Sequence, residues 1–505
     1  AAGGVIDVQS GTILLNGNGI SAGGTFLVAG NARLDFNGSQ TLTGTYTGSG
    51  YGTVAISGGT YTGDETTQFS FPSPLFEWTG GTLTGTFTNT GLMTIAGTGI
   101  RFLSGTLNNS GIILHKDTGV LAFISGILNN ESSGEYDFTG DGAFRWWSGS
   151  QGLINNDGLL RKSGGLGESN FSGQGSLTML NNTGTVEVSS GTLNVNGPDT
   201  QIDSGTLTAG TWIANDGTLS LNANITTNDA SLILAGSSGN IPAISNLTTN
   251  HGSFTIENGA AFTASAAFTN QGILTLGAGG AMNVSGDFSQ GTGAMLKFAI
   301  GGPSTGGNFG TLTVSGNASL AGGLELKLAD GYGPQTGNSY TVATYSSRSG
   351  AFGEETGLTP FFTSDLSPAA LVINAIGTAS DLSVSTVSSP GALSLGESAT
   401  LTYTVTNLSG RAATAPWKDS VYVSTDTTWD DSDILVGSSM VPDDLAVGAS
   451  YNGSVDLVIP SIPNNRYFLL VVADSDGMVP DIDRMNNYAT TASTIEIVAT
   501  RLRVI

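Results

Sequence analysis

The sequence contains no cysteine, which removes disulfide staples, thiolate metal sites and a cysteine nucleophile together. That absence leaves the compartment open, because stacked repeats can be stable outside the cell without disulfides. Positive charge is scarce: 15 Lys and Arg face 39 Asp and Glu, for a net charge of -24. Docking on phosphate depends on basic side chains, so nucleic acid is not an expected partner. The same excess keeps an exposed surface soluble and attracts divalent cations. No run of 18 apolar residues occurs, so no membrane span is predicted. The two histidines, His115 and His251, lack the close companion of a helical zinc motif. Long stretches of strong helix formers are also missing, so very little helix is expected.

What is present is glycine, 76 residues in 505, and a hydrophobic fraction of 38 %. That is apolar enough for a core and too apolar for a disordered chain. Length alone suggests about three domains, or a long solenoid counted as one unit. The opening Ala1-Ala2-Gly3-Gly4 has neither the basic nor the apolar region of a signal peptide. It reads as a terminus left by signal cleavage or as a boundary within a longer chain.

Residues 1–290 carry a degenerate repeat, Asn-x-Gly followed by a short alternating strand. Its copies are Asn89-Thr90-Gly91, Asn109-Ser110-Gly111, Asn156-Asp157-Gly158, Asn182-Thr183-Gly184, Asn215-Asp216-Gly217, Asn250-His251-Gly252 and Asn270-Gln271-Gly272. The spacing is 20 residues from Asn89 to Asn109 and from Asn250 to Asn270, 26 from Asn156 to Asn182, and 35 from Asn215 to Asn250. A period near 20 with insertions fits one coil of a β-solenoid better than a helical repeat. Asn and Gly tolerate the left-handed backbone of a tight corner, and Asn can hydrogen-bond the turn of the next coil. After the corners apolar residues alternate, as in Val186/Val188, Leu219/Leu221, Phe254/Ile256 and Leu274/Leu276, which turns one set of side chains inward. A second cue, at Gly80-Gly81-Thr82-Leu83, Ser104-Gly105-Thr106-Leu107, Ser190-Gly191-Thr192-Leu193 and Ser204-Gly205-Thr206-Leu207, reads as another corner of the same coil. A β-sandwich or a string of hairpins is the competing fold. The repeats favour a right-handed parallel β-helix, and the passage resembles the stalks of bacterial autotransporter adhesins and filamentous-haemagglutinin-like proteins.

The text changes near residue 295. Leu312-Thr313-Val314, Leu324-Glu325-Leu326 and Tyr340-Thr341-Val342-Ala343-Thr344-Tyr345 resemble the closing segment of such solenoids, and residues 291–378 are assigned to a β cap. From Asp381 a further resemblance begins. Asp381-Leu382-Ser383-Val384, Leu401-Thr402-Tyr403-Thr404-Val405-Thr406-Asn407, Trp417 through Asp426, Val471-Val472-Ala473-Asp474 and Val479 through Asn487 are similar to the cell-adhesion-related CARDB domain. That resemblance implies an immunoglobulin-like β-sandwich of about seven strands over 379–497. It is followed by a β-prone tail, 498–505. Arg484 stands where the family usually has an acidic residue, which weakens any metal site carried over from it. The expected fold class is all-β throughout: solenoid, cap and sandwich.

Two groups of residues are candidate sites. Glu135, Asp137 and Asp141 precede Phe144-Arg145-Trp146-Trp147, and carboxylates beside aromatic platforms suit glycoside binding or cleavage. The plainer reading is an irregular insertion with its own loop contacts. Adjacent Trp on a strand face opposite ways, so one of Trp146 and Trp147 is expected in the core and the other exposed, stacking on a sugar or a partner. Asp426, Asp430, Asp431 and Asp433 form one acidic loop, and Asp474, Asp476, Asp481 and Asp483 another. Such a density of hard oxygen donors suits Ca²⁺, whereas the competing reading is acidic turns bonded to their own backbone. No cofactor is required. The chain reads as a bacterial extracellular or cell-surface rod that binds or assembles rather than catalyses. Its expected partners are cell-surface or matrix components, including glycans. The rival reading is a fibre subunit joined head to tail through its termini, and a carbohydrate-active β-helix comes third.

Overall fold

The computed structural model describes residues 3–72, 74–173, 178–329, 331–388, 393–394, 398–460, 462–463 and 465–498. The tail assigned to 498–505 therefore lies outside the described residues, apart from Val498. Strands account for nearly all regular structure. The helical elements among the described residues are two 3₁₀ turns, Pro242–Ile244 and Arg484–Asn486. The chain divides into two compact units, the first holding Ala1–Thr275, Gly280–Leu296 and Thr313–Gly322 and the second the remainder.

In the first unit each coil contributes three short strands, and equivalent strands of successive coils pair in parallel to make three faces. The solenoid has about 13 turns. A typical coil runs through Thr106–Asn109 on the first face, Ile112–His115 on the second and Val120–Ile124 on the third. Four-residue strands suffice because alternate side chains point inward and meet the same position one coil away. Leu107, Leu128, Ile154 and Leu180 align in register and are wholly buried. Each such side chain contributes roughly 1.5–3 kcal/mol on leaving water. The alternating pairs read from the sequence, Val186/Val188 among them, face inward as expected.

The Asn-x-Gly motif proves to have a different physical basis from the one its composition suggests. None of its Asn residues, and none of its Gly residues, has a positive φ. Asn is selected for its amide: it closes the first-face strand with its side chain pointing into the core. There the Nδ2 of Asn89 donates to Asn109 Oδ1, Asn109 to Asn130, Asn130 to Asn156 and Asn156 to Asn182, all at 2.7 Å. The Gly is selected for closeness, since a Cβ on Gly111 would lie 2.2 Å from Gly91 O and one on Gly272 2.1 Å from Gly252 O. A second run, Asn228 to Asn250 to Asn270, resumes at 2.8 and 2.9 Å. Between the runs a hairpin, Ile202–Asp203 against Thr206–Leu207, interrupts the column. Asn215 stands outside the column, at the end of a second-face strand, and there the left-handed residue is Asp216. The Gly-Thr-Leu cue is likewise not one corner. Thr82 and Thr192 join third-face strands, Thr106 opens a first-face strand and Thr206 sits in the hairpin.

The second unit contains an antiparallel group, Ser339–Gly350 with Ala370–Ala375 and Phe362–Leu366, and the C-terminal sandwich. One sandwich sheet holds Leu382–Ser385, Ser398–Asn407 and Ser450–Val458. The other holds Ile434–Val441, Trp417–Ser424, Asn465–Val472, Ile495–Val498, Leu393–Ser394 and Tyr488–Thr490. The sandwich has nine strands among the described residues, against about seven expected, the additional ones including the short Leu393–Ser394 and Tyr488–Thr490, which pair at the sheet's margin. The core between the sheets packs Leu401, Tyr403, Val405, Trp417, Val421 and Leu469.

Candidate functional site

The acidic cluster and the tryptophans, adjacent in sequence, lie on different faces of the first unit. Glu135–Phe138 is a second-face strand, whereas Ala143–Ser148 is a third-face strand. Asp137 pairs in register with Arg161 of the next coil. The guanidinium of Arg161 reaches Glu135 Oε1 at 2.8 Å and Asp137 Oδ2 at 3.0 Å, and Ser163 Oγ donates to Asp137 at 2.8 Å. Asp141 lies in the corner after that strand, where the buried Lys162 Nζ meets it at 2.9 Å and also donates to the carbonyls of Gly140 and Gly164. The three carboxylates are thus each neutralised by a cation one coil further on. Paired in this way they tie the insertion to the next coil.

Buried polar side chains recur at the end of the second-face strands, where the corner leaves carbonyls unpaired. Trp78 Nε1 donates to Gly80 O. Arg101, near the start of the third-face strand that follows such a corner, is wholly buried, has no carboxylate ion-pair partner among the described residues and donates to the carbonyls of Trp78, Ala96, Gly97 and Gly99. His115 contacts Gly119 O at 3.0 Å through Nε2 and Tyr136 Oη at 2.9 Å through Nδ1. A carbonyl only accepts, so Nε2 carries the proton and Nδ1 accepts from the phenol. Burial, reinforced by the charge of Arg101, pushes His115 down to about 3.

The tryptophan pair departs from simple alternation. The third-face register shifts between Phe123 and Ile124, so that Phe123 faces Trp146 and Ile124 faces Ser148, leaving Trp147 on a bulge. The inward position of this strand belongs to Phe144; Trp146 is half-buried with its Nε1 donating to Ser150 O at 3.0 Å, and neither Trp enters the core. Trp147 is 46 % exposed and stands edge-on to Phe102, with ring centroids 5.3 Å apart. Phe102, Ala122 and Arg145 occupy one outward column in successive coils. The signal for this column, a period of 20 and then 23 residues, is present in the sequence. It becomes visible only when the coils are stacked.

In the sandwich the two acidic loops behave differently. Asp426 and Asp430 accept from the backbone of Thr428 and Ser432, Asp433 accepts from Asp430 N, and Asp431 is exposed. Asp474 is wholly buried. It accepts from Met478 N and Val479 N at 2.9 Å each, and Arg484 Nη1 meets its Oδ2 at 2.9 Å. Asp476 pairs with Lys418 at 2.7 Å, and Asp483 caps the 3₁₀ turn through Met485 N. Asp481 accepts from Leu382 N at 2.6 Å and from Asp483 N and Asn487 Nδ2, and burial pushes it up to about 6. Among the described residues no three His, Asp or Glu side chains converge as ion ligands.

One carboxylate that the sequence reading passed over, Asp419, links the sheets. It accepts from Tyr403 Oη at 2.8 Å, from Tyr451 Oη and from Asp474 N at 3.1 Å. Burial raises its pKa, and the phenol and backbone donors oppose that rise.

These observations define an all-β protein in which a parallel β-solenoid is followed by an antiparallel β-sandwich module. The module, residues 379–491, matches the family model described as CARDB. The CARDB domain of the PF1109 protein from Pyrococcus furiosus, solved in complex with di-metal ions, is 19 % identical. The match covers 24 % of this chain and 96 % of that one, with a TM-score of 0.19. A β-glucosidase from Listeria innocua, solved with glucose, is 18 % identical over 24 % of this chain and 16 % of its own, with a TM-score of 0.17. No curated protein matches the chain.

Proposed function

We propose that the protein is an extracellular adhesive or matrix-structural component of a bacterial surface, which binds or assembles rather than catalyses. The observation that carries this reading is the direction in which the solenoid turns its polar chemistry. Its asparagines bond one another inside the core, and the carboxylates of its acidic cluster are held by Arg161 and Lys162. A scaffold arranged in this way presents surface, and a cell-adhesion-related domain at residues 379–491 agrees with an attachment role. The reading requires no cofactor. A calcium-dependent form of it predicts a higher melting temperature in millimolar calcium, and an unchanged one removes calcium from the account.

The test is to coat beads with the full chain and count attached bacteria, with negative-stain electron microscopy of the same preparation. Attachment above that of bare beads, from dispersed particles, is the expected result. Absence of attachment overturns the reading, and fibres with a regular axial repeat replace it with assembly.

A further inference from the structure

We propose that Phe102, Arg145 and Trp147, gathered around Ala122 on the third face, form a binding subsite for an acidic polysaccharide bearing uronate groups. The inference deepens the adhesive reading and rests on it. Ala122 points outward between the inward-facing Leu121 and Phe123, yet it is completely buried. Its neighbours in the adjacent coils are Phe102 and Arg145, on strands about 4.8 Å to either side, so these side chains and Trp147 cover Ala122 and themselves form the surface open to a ligand. The bulge brings Trp147 to this place, edge-on to Phe102, and leaves nearly half of it in water. An aromatic surface of that kind stacks on the apolar C–H face of a pyranose ring.

The charge beside it selects among sugars. Several basic side chains are already paired with carboxylates: Arg33 with Asp35, Arg161 with Glu135 and Asp137, Lys162 with Asp141, Lys297 and Lys327 with Glu325, Lys418 with Asp476 and Arg484 with Asp474. Arg145 has no carboxylate within ion-pair reach among the described residues, although it is only partly exposed. Guanidinium meets carboxylate through two parallel hydrogen bonds, which a neutral sugar does not supply. The chain's net charge of -24 opposes a polyanion at long range. At physiological salt that field is screened within about 8 Å, so the local sign at Arg145 governs contact.

The experiment is affinity electrophoresis of the full chain through native gels containing polygalacturonate, a neutral β-glucan or duplex DNA. Retardation by polygalacturonate alone is expected. Trp147→Ala and Arg145→Gln are each expected to weaken it by roughly 10-fold or more, the worth of one stacked or charge-assisted contact. Unchanged melting temperatures of both surface variants confirm that they are folded. The inference is overturned if polygalacturonate does not retard the chain, if the glucan or DNA retards it equally, or if both variants behave as wild type. A chain that captures bacteria yet ignores polygalacturonate loses this subsite and keeps its adhesive role. Retardation without capture does the reverse.

Discussion

Replacing Asn130 with alanine tests whether the internal amide column holds the solenoid together. The side chain accepts from Asn109 Nδ2 at 2.7 Å and donates to Asn156 Oδ1 at 2.7 Å and to Leu159 O at 3.0 Å. It is 1 % exposed, so water cannot replace what is lost. Asn109 Nδ2 keeps its bond to Glu135 O, whereas Asn156 Oδ1 and Leu159 O lose a donor in a dry interior. Net hydrogen bonds are worth about 1 kcal/mol each and stranded buried groups cost about 1–3, which places Asn130→Ala at a loss of about 3–5 kcal/mol. The neighbouring Asn129 provides an internal control. Its side chain donates to Asn108 Oδ1 and accepts from Asn155 Nδ2, each at 2.8 Å, but on the outer face where water can replace both, so Asn129→Ala should lose no more than about 1 kcal/mol. Urea unfolding followed by far-ultraviolet circular dichroism compares the two, and hydrogen exchange of residues 105–160 localises the effect. If the two variants unfold within about 0.5 kcal/mol of each other, the column is a consequence of stacking and not a cause of it.

His115→Gln keeps a donor toward Gly119 and an acceptor toward Tyr136 but does not titrate. With His115 held down at about 3 in the fold and near 6.5 when unfolded, its contribution to stability is complete above 6.5 and is lost as pH falls toward 3. The gap between wild type and variant should therefore change by about 2–3 kcal/mol between pH 6.5 and 4.5. Comparing variants removes the opposite trend of Asp481, which is pushed up to about 6 and so favours the fold as pH falls from 6. A constant gap refutes the assignment. Gly272→Ala places a Cβ 2.1 Å from Gly252 O, while Gly293→Ala meets nothing within 4 Å; thermal melting should separate them by about 1–3 kcal/mol, and equal melting temperatures refute the close-packing argument. Arg484→Ala leaves the buried Asp474 without its cation and should destabilise the sandwich by about 3–5 kcal/mol at neutral pH, less in acid where the carboxyl protonates; a change below about 1 kcal/mol counts against the pair.

Local chemistry determined a good deal here. Period-two alternation follows from strand geometry alone, so the all-β class and inward residues such as Val186 and Leu219 were legible without coordinates. The residues shared with CARDB were equally legible, and the match over 379–491 agrees with them. The repeat showed that coils exist, but the reason for its Asn and Gly was not local. It lies in the coil above, where the next amide and the next carbonyl wait. Asn130 and Asn228 complete the column without an Asn-x-Gly signature, because register depends on stacking and not on spacing. For the same reason only tertiary structure decided that Arg161 neutralises Glu135 and Asp137, that a bulge holds Trp147 beside Phe102, and that Arg484 answers Asp474. Hydrophobic pattern is written along a strand, whereas charge and aromatic contacts in a solenoid run across strands, between residues that only winding makes neighbours.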